Sequence, residues 1–273
     1  DRPRRRPSGF KEADMRDANR IIRKIKIKSG HDDCISGSWA KVIREINLSI
    51  HVDGKHLANI ACAGIHLKEL AVGFLRSEKI IFENKEIEKI EIYHRVNRVN
   101  IKLKRKGNFA KTSVKNIASS GARGKTNLTL LKPLRVPDNF HIKTGLVLKL
   151  MDKLLDGSAV HNQTGGTHCS ALVLGKQMVA LREDIGRHNT IDMLGGYALL
   201  KKVNLNKAII LTTGRISSEI VYKIWNMGIP VIISHSAPTA EAVRLSRKAN
   251  ILLIGYVRHG KINIYSHERR VII

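Results

Sequence analysis

The 273-residue sequence has few cysteines, few aromatic residues, few acidic residues and no long apolar run. Its three cysteines, Cys34, Cys62 and Cys169, form no C-x-x-C pair, which excludes a disulfide scaffold and favours a reducing compartment. Because no run of about 18 apolar residues occurs and the first residues contain no apolar signal segment, we expect neither a membrane span nor secretion. The expected location is therefore the cytoplasm.

Acidic residues are outnumbered by basic ones, 23 against 49, which leaves a formal net charge of +26. Such an excess favours polyanionic partners, among them nucleic acid, a nucleotide cofactor or an acidic protein, although a solvated lysine-rich surface is the alternative. Aromatic residues make up only 4% of the chain and are sparse in its basic stretches. This scarcity weighs against binding of single-stranded nucleic acid, which needs aromatic stacking platforms.

The first part of the chain divides into a basic N-terminal arm, residues 1–40, and an α+β domain, residues 41–135. The arm shows no sustained periodicity and is expected to lack a folded core. In the domain, apolar residues alternate over 46–52, and Asp53-Gly54 then predicts a hairpin turn. Leu67 to Leu75 has the spacing of a helix with one apolar face. Strands are predicted over 87–92 and 99–103.

The second part, residues 145–273, alternates helical patterns with short apolar strands. A helix begins this part and ends at Asp156-Gly157, and a hairpin turning at Gly175-Lys176 follows. Further strands are predicted over 208–211, 229–234, 251–257 and 262–265, with helices from about 191, over 217–227 and over 240–249. This order predicts a three-layer α/β sandwich, in which ligands bind at the carboxyl ends of the strands.

Polar and basic side chains follow three of these predicted strands, in the stretches Thr212–Glu219, Ser234–Thr239 and Tyr256–Lys261. Helix N-termini in the first two stretches could hold phosphate, or their hydroxyls could simply cap the helices. A separate basic loop, Ile117–Lys125, could also hold an anion or could be a plain connection.

The stretch from Thr164 to Asp192 concentrates titratable residues around the predicted hairpin. His168, His188 and His235 are candidate ligands or bases, although a lone histidine is more often structural, and the H-x-E and P-C-x-x-C strings of zinc deaminases are absent. Glu183, Asp184 and Arg187 could pair with one another or share a ligand. Cys169 beside His168 could be a nucleophile, but it and Cys62 are also typical of small buried side chains.

Several strings in the chain resemble one family, the formate dehydrogenase accessory sulfurtransferases of the FdhD/NarQ family. The most specific of them is the string E-D-x-G-R-H-N, which runs from Glu183 to Asn189. The matching strings are Glu69–Leu75 followed by Ser77-Glu78, Gly165–His168, Arg182–Asn189, Gly214–Ser217, Ala237–Thr239 and Tyr256–Arg258. Together they extend over roughly residues 44–265 and leave out the basic arm.

The resemblance implies an N-terminal α+β domain followed by a cytidine-deaminase-like three-layer α/β/α domain, in a homodimer. It also implies a transiently bound molybdenum or tungsten bis-(molybdopterin guanine dinucleotide) cofactor, which GDP would mimic, and two partners, a cysteine desulfurase and a formate dehydrogenase. By the same resemblance, the cofactor-binding residues are expected to be Tyr256, Val257, Arg258, His259, Gly260, Lys261, Gly214, Arg215, His168, Arg187 and His188. The other titratable residues of the string are expected to shape the same groove.

One departure from the family concerns the sulfur-carrying loop. Where the family typically has C-G-x-C-G, this chain has Ser120-Gly121-Ala122-Arg123-Gly124, so Ser120 and Arg123 replace both cysteines. A serine hydroxyl cannot hold a persulfide. The first hypothesis is therefore a cofactor-binding accessory protein whose sulfur step is absent, moved to another cysteine or performed by a partner. The alternatives are an active sulfurtransferase that uses Cys62 or Cys169, and a basic nucleic-acid-binding protein.

Overall fold

The computed structural model describes residues 19–31, 34–104, 115–117 and 131–273. Within these residues the chain forms an α+β unit followed by a larger sheet with helices on both faces. The predicted fold class is therefore confirmed, while the more specific likeness to cytidine deaminases stays a prediction. The basic loop around Ser120 and Arg123 lies outside the described residues.

Part of the segment predicted to be an unfolded arm is a β-hairpin. Strands β1 (Ile22–His31) and β2 (Cys34–Ile43) pair antiparallel, with Ile22 opposite Ile43. The expectation of an arm without regular structure is wrong for these residues. Lysines alternate with Ile25 and Ile27 in β1, and this period of two is the strand signal that the high charge concealed.

The α+β unit is a five-stranded sheet with one helix packed on it. Its elements are β3 (Ile46–Val52), β4 (Lys55–Cys62), α1 (Leu67–Ser77), β5 (Ile87–Tyr93), β6 (Arg98–Leu103) and β7 (Lys115–Ile117). The strand order is β5-β6-β3-β4-β7, and β3 pairs with β4 as predicted. Asp53 and Gly54 both have positive φ, 48° and 79°, which is the turn that suits a two-residue hairpin.

The second unit is a six-stranded sheet in the order β10-β9-β11-β12-β13-β14, of which β11, β12 and β13 are mutually parallel. Its strands are β9 (His168–Leu174), β10 (Gln177–Asp184), β11 (Ala208–Thr212), β12 (Val231–Ser234), β13 (Leu252–Arg258) and β14 (Lys261–Ser266). A small parallel pair, β8 (Ile142–Lys143) with β15 (Val271–Ile272), flanks it.

The helices of the second unit cover both faces of the sheet. The unit therefore has the three predicted layers, with the sheet between two layers of helices. They are α2 (Thr144–Gly157), α3 (Ala159–Thr164), α4 (Arg187–Leu200), α5 (Ser218–Met227) and α6 (Ala240–Lys248). Because side chains alternate along a strand, Ile210 packs with α4, α5 and α6, whereas Ile209 and Leu211 pack with α2. Short 3-10 turns lie at Asn84–Glu86, His94–Val96 and Glu268–Arg270.

Helices α1 and α4 join the two units through direct contact of their backbones. A Cβ atom on Gly73 would lie 1.7 Å from the Asp192 carbonyl oxygen, and one on Gly196 would lie 1.9 Å from the Glu69 carbonyl oxygen. No side chain fits between the helices at either point. Helix α4 also contributes Met193 to the core of the α+β unit. Helix α4 therefore packs against the cores of both units.

Buried polar contacts reinforce this junction. The Asp192 carboxylate of α4 accepts a hydrogen bond from Ser77 Oγ of α1 at 2.6 Å and pairs with Lys223 of α5. Nearer the N-terminus of α1, Arg182 of β10 donates two hydrogen bonds to the Glu69 carboxylate, at 2.6 and 2.8 Å. Planar bidentate pairs of this kind fix orientation as well as distance. These contacts thus tie helix α1 to two elements of the second unit, α4 and β10.

We predict that Gly73→Ala destabilises the protein by more than about 2 kcal/mol, because the added methyl group forces two helix backbones apart. Equilibrium unfolding in urea measures this loss. Gly145→Ala in α2 is the matched control, since a Cβ there meets nothing within 4 Å and alanine improves helix propensity. A Gly73→Ala protein as stable as the control would contradict the close contact.

Candidate functional site

The candidate site lies where the parallel strands β11, β12 and β13 end at one edge of the sheet. We define the strand-end site as the turns 213–217, 235–239 and 256–261 together with His168 and Arg187. The turns are joined to one another by hydrogen bonds. His235 N donates to Thr212 O at 3.0 Å, and Tyr256 N donates to Ser236 O at 3.0 Å. The structure therefore brings together the three stretches that the sequence singled out.

Gly214 lies at the centre of this site because only glycine fits there. A Cβ atom on Gly214 would lie 2.9 Å from Arg187 Cβ and 3.6 Å from His168 Nδ1. The Ser234 hydroxyl, from the next strand, donates to the Gly214 carbonyl at 2.8 Å and holds the turn in place. Three residues that are distant in sequence, His168, Arg187 and Gly214, thus lie together at this turn, and their part in cofactor binding stays a prediction.

Arg187 is the first residue of helix α4, and its side chain lies beside the turn that contains Gly214. Its Nε is buried and has no hydrogen-bond partner among the described residues, and the same holds for Ser217 Oγ at the start of α5. Nearby Arg215 and burial both lower the pKa of Arg187, burial more strongly, but the guanidinium remains charged at any physiological pH. A buried donor without a partner marks a place where a ligand atom would be stabilised.

Three histidines lie near one another in the site. The pKa of His168 is lowered by burial first, and then by the charges of Arg187, His161 and Arg215. The pKa of His235 is likewise lowered by burial first, and then by Arg258, His259 and His161. His161 thus acts on both of the others, although sequence reasoning missed it because α3, which contains it, shows no motif. Its Nδ1 donates to the Thr167 carbonyl at 2.6 Å, which leaves Nε2 as the second ring nitrogen.

The hairpin between β13 and β14 adds an aromatic and a cationic group to the site. The Arg258 guanidinium lies 3.6 Å from the centre of the Tyr256 ring, and Tyr256 is 37% exposed. Tyr256 has φ of 56°, a conformation that is costly for a bulky residue. His259 and Gly260, with φ of 51° and 71°, form the turn that leads to Lys261. The strained backbone at Tyr256 is typical of functional positions.

Two residues expected to contact the ligand are instead buried in the protein. His188 is 1% exposed, and its Nε2 lies 3.1 Å from Glu219 Oε2 at the start of α5. Val257 is also 1% exposed and packs in the core between the sheet and α2. Both side chains point to the inner side of their elements, and the assignment of these two residues to the cofactor site stays a prediction.

The residues of the string 183–189 separate into different tasks rather than pairing with each other. Glu183 accepts hydrogen bonds from the backbone N–H groups of Val160 and His161, at 3.0 and 2.8 Å, and so caps α3. Arg187 turns towards Gly214. Of the two alternatives for Glu183, Asp184 and Arg187, mutual pairing is not observed, because each faces a different neighbour.

Asp184 and Asn189 join the string to the α+β unit. The Asp184 carboxylate is fully buried and accepts from Ala63 N at 2.8 Å, Gly186 N at 2.9 Å and Asn189 Nδ2 at 2.7 Å. Asn189 Nδ2 also donates to the Ala61 carbonyl at 2.8 Å. Burial raises the pKa of Asp184 to about 6, and the backbone donors limit this rise. The carboxylate is thus ionised at neutral pH and fixes the N-terminus of α4.

Comparison with known proteins decides the family. The sequence model of the FdhD/NarQ family matches residues 43–272. A sulfur carrier protein FdhD from Staphylococcus haemolyticus (strain JCSC1435) is 35% identical over 234 residues, which cover 84% of this chain and 89% of that protein. Its counterpart from Bacillus subtilis (strain 168) is 30% identical over 236 residues, with coverage of 85% and 90%. The chain belongs to the FdhD/NarQ family.

A solved structure shows the same fold for a candidate formate dehydrogenase accessory protein from Desulfotalea psychrophila. The two structures superpose with a TM-score of 0.76 at 21% sequence identity, over 92% of this chain and all of the other. In this FdhD/NarQ chain, no helix among the described residues is long and apolar enough to cross a membrane. The described residues also contain no group of three side chains able to hold a metal ion.

The cysteines of this FdhD/NarQ chain differ in accessibility. Cys62 and Cys169 are both fully buried, and burial raises the pKa of each thiol well above its ordinary value. Cys169 Sγ donates to Glu183 Oε1 at 3.4 Å, and the negative charge of Glu183 further disfavours the thiolate. A buried neutral thiol is a poor nucleophile, so the geometry argues against both as sulfur carriers. Cys34, near the tip of the β1–β2 hairpin, is exposed.

We predict that Asp184→Asn lowers the free energy of unfolding by about 3 kcal/mol at pH 7.5. The amide replaces a charged acceptor by a group whose NH₂ faces other N–H donors. Chemical unfolding followed by circular dichroism measures the loss. Glu241→Gln, which removes an exposed carboxylate paired with Arg244, serves as the control and is expected to unfold like the unmodified protein. Equal stability of the two variants would show that Asp184 does not hold α4.

Proposed function

We propose that this protein binds the bis-(molybdopterin guanine dinucleotide) cofactor of molybdenum or tungsten and supports its sulfuration during maturation of a formate dehydrogenase. The observation that most supports this is the convergence of Arg187, Arg215 and Arg258 with two histidines around Gly214 at the strand-end site. The names of the relatives, sulfur carrier and formate dehydrogenase accessory protein, point to the same process.

The side chains present suit the phosphates of such a ligand. A guanine dinucleotide contains pyrophosphate groups, which bind best to guanidinium groups and to N–H groups at helix N-termini. Helix α5 begins beside Gly214 and Arg215, and its ten residues are enough for a positive dipole end. Arg187 Nε and Ser217 Oγ are buried here and have no partner in the described part of the chain. Phosphate oxygens would satisfy both.

The hairpin at Tyr256 suits the guanine ring. Purine bases stack on aromatic rings and on guanidinium planes, and each such contact stabilises a complex by about 1–3 kcal/mol. Tyr256 and Arg258 lie one over the other at 3.6 Å, and the tyrosine is exposed at the edge of the site. A base stacked there would leave its phosphates close to the arginines of the neighbouring turns.

The histidines can supply hydrogen bonds without adding charge at neutral pH. Because the pKa values of His168 and His235 are both lowered, their rings are mostly neutral at pH 7 and can donate and accept. A bound phosphate beside them would favour protonation, so we propose that binding is coupled to proton uptake. The bound cofactor supplies the metal centre that receives sulfur, and the residues here bind and orient it.

The sulfur step requires a thiol that this chain does not offer at the usual positions. Ser120 and Arg123 occupy them, and Cys62 and Cys169 are buried. We therefore propose that a partner's thiol provides the persulfide, with a cysteine desulfurase as the source and a formate dehydrogenase as the recipient of the finished cofactor. The protein would act as a homodimer in the cytoplasm.

We predict that GDP binds the full chain and that Arg258→Ala weakens binding about tenfold, the ratio that corresponds to ~1.4 kcal/mol. The loss follows from removing both a positive charge and a stacking surface. Isothermal titration calorimetry measures it. Arg95→Ala, an exposed arginine between β5 and β6, is the matched control and should bind normally. The absence of GDP binding, or equal effects of both variants, would contradict the proposal.

We predict that GDP binding takes up protons below pH 7, and that His168→Gln reduces this uptake. A phosphate beside His168 raises the pKa of the bound imidazole, so the extra affinity is present at low pH and lost as pH rises through that value. Calorimetry at pH 6 in two buffers of different ionisation enthalpy counts the protons. The difference between wild type and variant cancels the titration of GDP itself. An unchanged proton count would show that His168 lies away from the phosphates.

A further inference from the structure

A second basic surface lies at the opposite end of helix α4 from the strand-end site. We define the inter-unit cleft as the cavity of about 1550 Å³ between β5, the start of α1 and the end of α4. Arg187 begins α4 in the strand-end site, and Leu200, Lys201 and Lys202 follow at its other end in the cleft. Fourteen helical residues extend about 21 Å, so the two surfaces are separate.

The lining of the cleft is strongly cationic. It contains nine lysines and arginines against two glutamates, Glu69 and Glu88. Both glutamates are already paired with cations outside the lining, Glu69 with Arg182 and Glu88 with Lys102 at 2.7 Å. By contrast, Lys68, Lys201 and Lys202 are exposed and pair with no carboxylate among the described residues. Lys85 and Lys89 pair with Glu83 and Glu91 at 2.7 Å, and the other lining cations still leave the cleft with an excess of positive charge.

The cleft also has an apolar component. Ile65, Ile87, Ile90, Ile92 and Leu200 line it and are only partly buried against the core. A surface that alternates half-buried isoleucines with lysines matches a ligand that has both carboxylates and apolar side chains. The volume exceeds the 300–1,000 Å³ usual for small-molecule sites, which favours a segment of a macromolecule.

Nucleic acid fits this lining less well than an acidic polypeptide. Tyr197 is the aromatic residue in the lining that could stack a base. The Arg182 guanidinium lies 5.3 Å from the centre of its ring, and its hydroxyl donates to the Val179 carbonyl. Single strands need exposed stacking surfaces for strong binding. Isoleucine side chains, in contrast, bind the apolar residues of a peptide.

From this combination we infer that the inter-unit cleft is a docking surface for an acidic, amphipathic segment of a partner protein. The lysines attract and orient the segment, and the isoleucines bury its apolar face. The cleft is distinct from the site proposed for the cofactor, so a partner can dock while the strand-end site is occupied. Because α4 extends from one surface to the other, docking occurs on the same rigid helix that presents Arg187.

The test uses a fluorescein-labelled 16-residue peptide in which glutamate alternates with leucine, and measures binding to the full chain by anisotropy in 0.15 M salt. The cleft variant Lys68→Glu/Lys201→Glu/Lys202→Glu should bind about tenfold more weakly, because three attractive charges become repulsive. The matched control Lys153→Glu/Lys176→Glu/Lys207→Glu has the same net charge and changes exposed lysines outside the cleft lining. Its affinity should change less than about threefold, through screened long-range attraction alone.

Three results would overturn the inference. Equal weakening by both triple variants would mean that only net charge matters. Equal binding of a peptide with glutamine in place of glutamate would exclude recognition of acidic groups. A 16-nucleotide single-stranded DNA that binds as tightly as the peptide, and loses the same factor in the cleft variant, would make the cleft a nucleic-acid site. Both variants should keep the circular dichroism spectrum and GDP affinity of the wild type, which separates this test from the proposed function.

Discussion

The backbone of helix α1 touches the backbone of helix α4 at Gly73 and Gly196, and most of the structure depends on this contact. With no side chain between them, the helices can neither slide nor separate without breaking the packing on both sides. Helix α4 therefore belongs to both cores at once. The buried pair of Asp192 with Lys223, and the bidentate pair of Arg182 with Glu69, surround the crossing and fix its angle. The two units behave as one body because they share a helix.

The string from Glu183 to Asn189 lies where this shared helix begins, and its position explains its composition. Asp184 and Asn189 bind backbone groups of the α+β unit, Glu183 binds the start of α3, and Arg187 points into the strand-end site. Each residue type suits its task. A carboxylate satisfies several N–H donors, an amide can also donate to a carbonyl, and a guanidinium reaches a ligand. The residues 183–189 therefore serve mainly to position the strand-end site rather than to take part in a reaction.

Much of this fold follows from local pattern. The hairpin at Asp53-Gly54 was predictable because its apolar residues alternate, and the strands from Ala208 onwards were predictable because they are short, continuous apolar runs between helical patterns. The β1–β2 hairpin was missed because its lysines resembled an unfolded arm, although Ile25 and Ile27 alternate with them. The position of His161 near the site and the burial of the His188 side chain were not foreseen, for a different reason. Which side of an element faces a ligand depends on packing between distant segments, and a single sequence does not contain that information locally.

The residues proposed to bind the cofactor and the positions where the sulfur-carrying cysteines were expected fall in different parts of this chain. Residues 120 and 123 precede β8, whereas every residue proposed to bind the cofactor lies on β9, on α4, at the end of β13 or in the turns after β11, β12 and β13. Ser120 and Arg123 therefore lie outside the segments that contain Gly214, Arg187 and the Tyr256–Arg258 pair. If a partner supplies the sulfur, the cofactor site can be retained while the loop changes. The protein then needs a separate surface that binds this partner. The inter-unit cleft is the described surface whose charge and apolar lining meet that requirement.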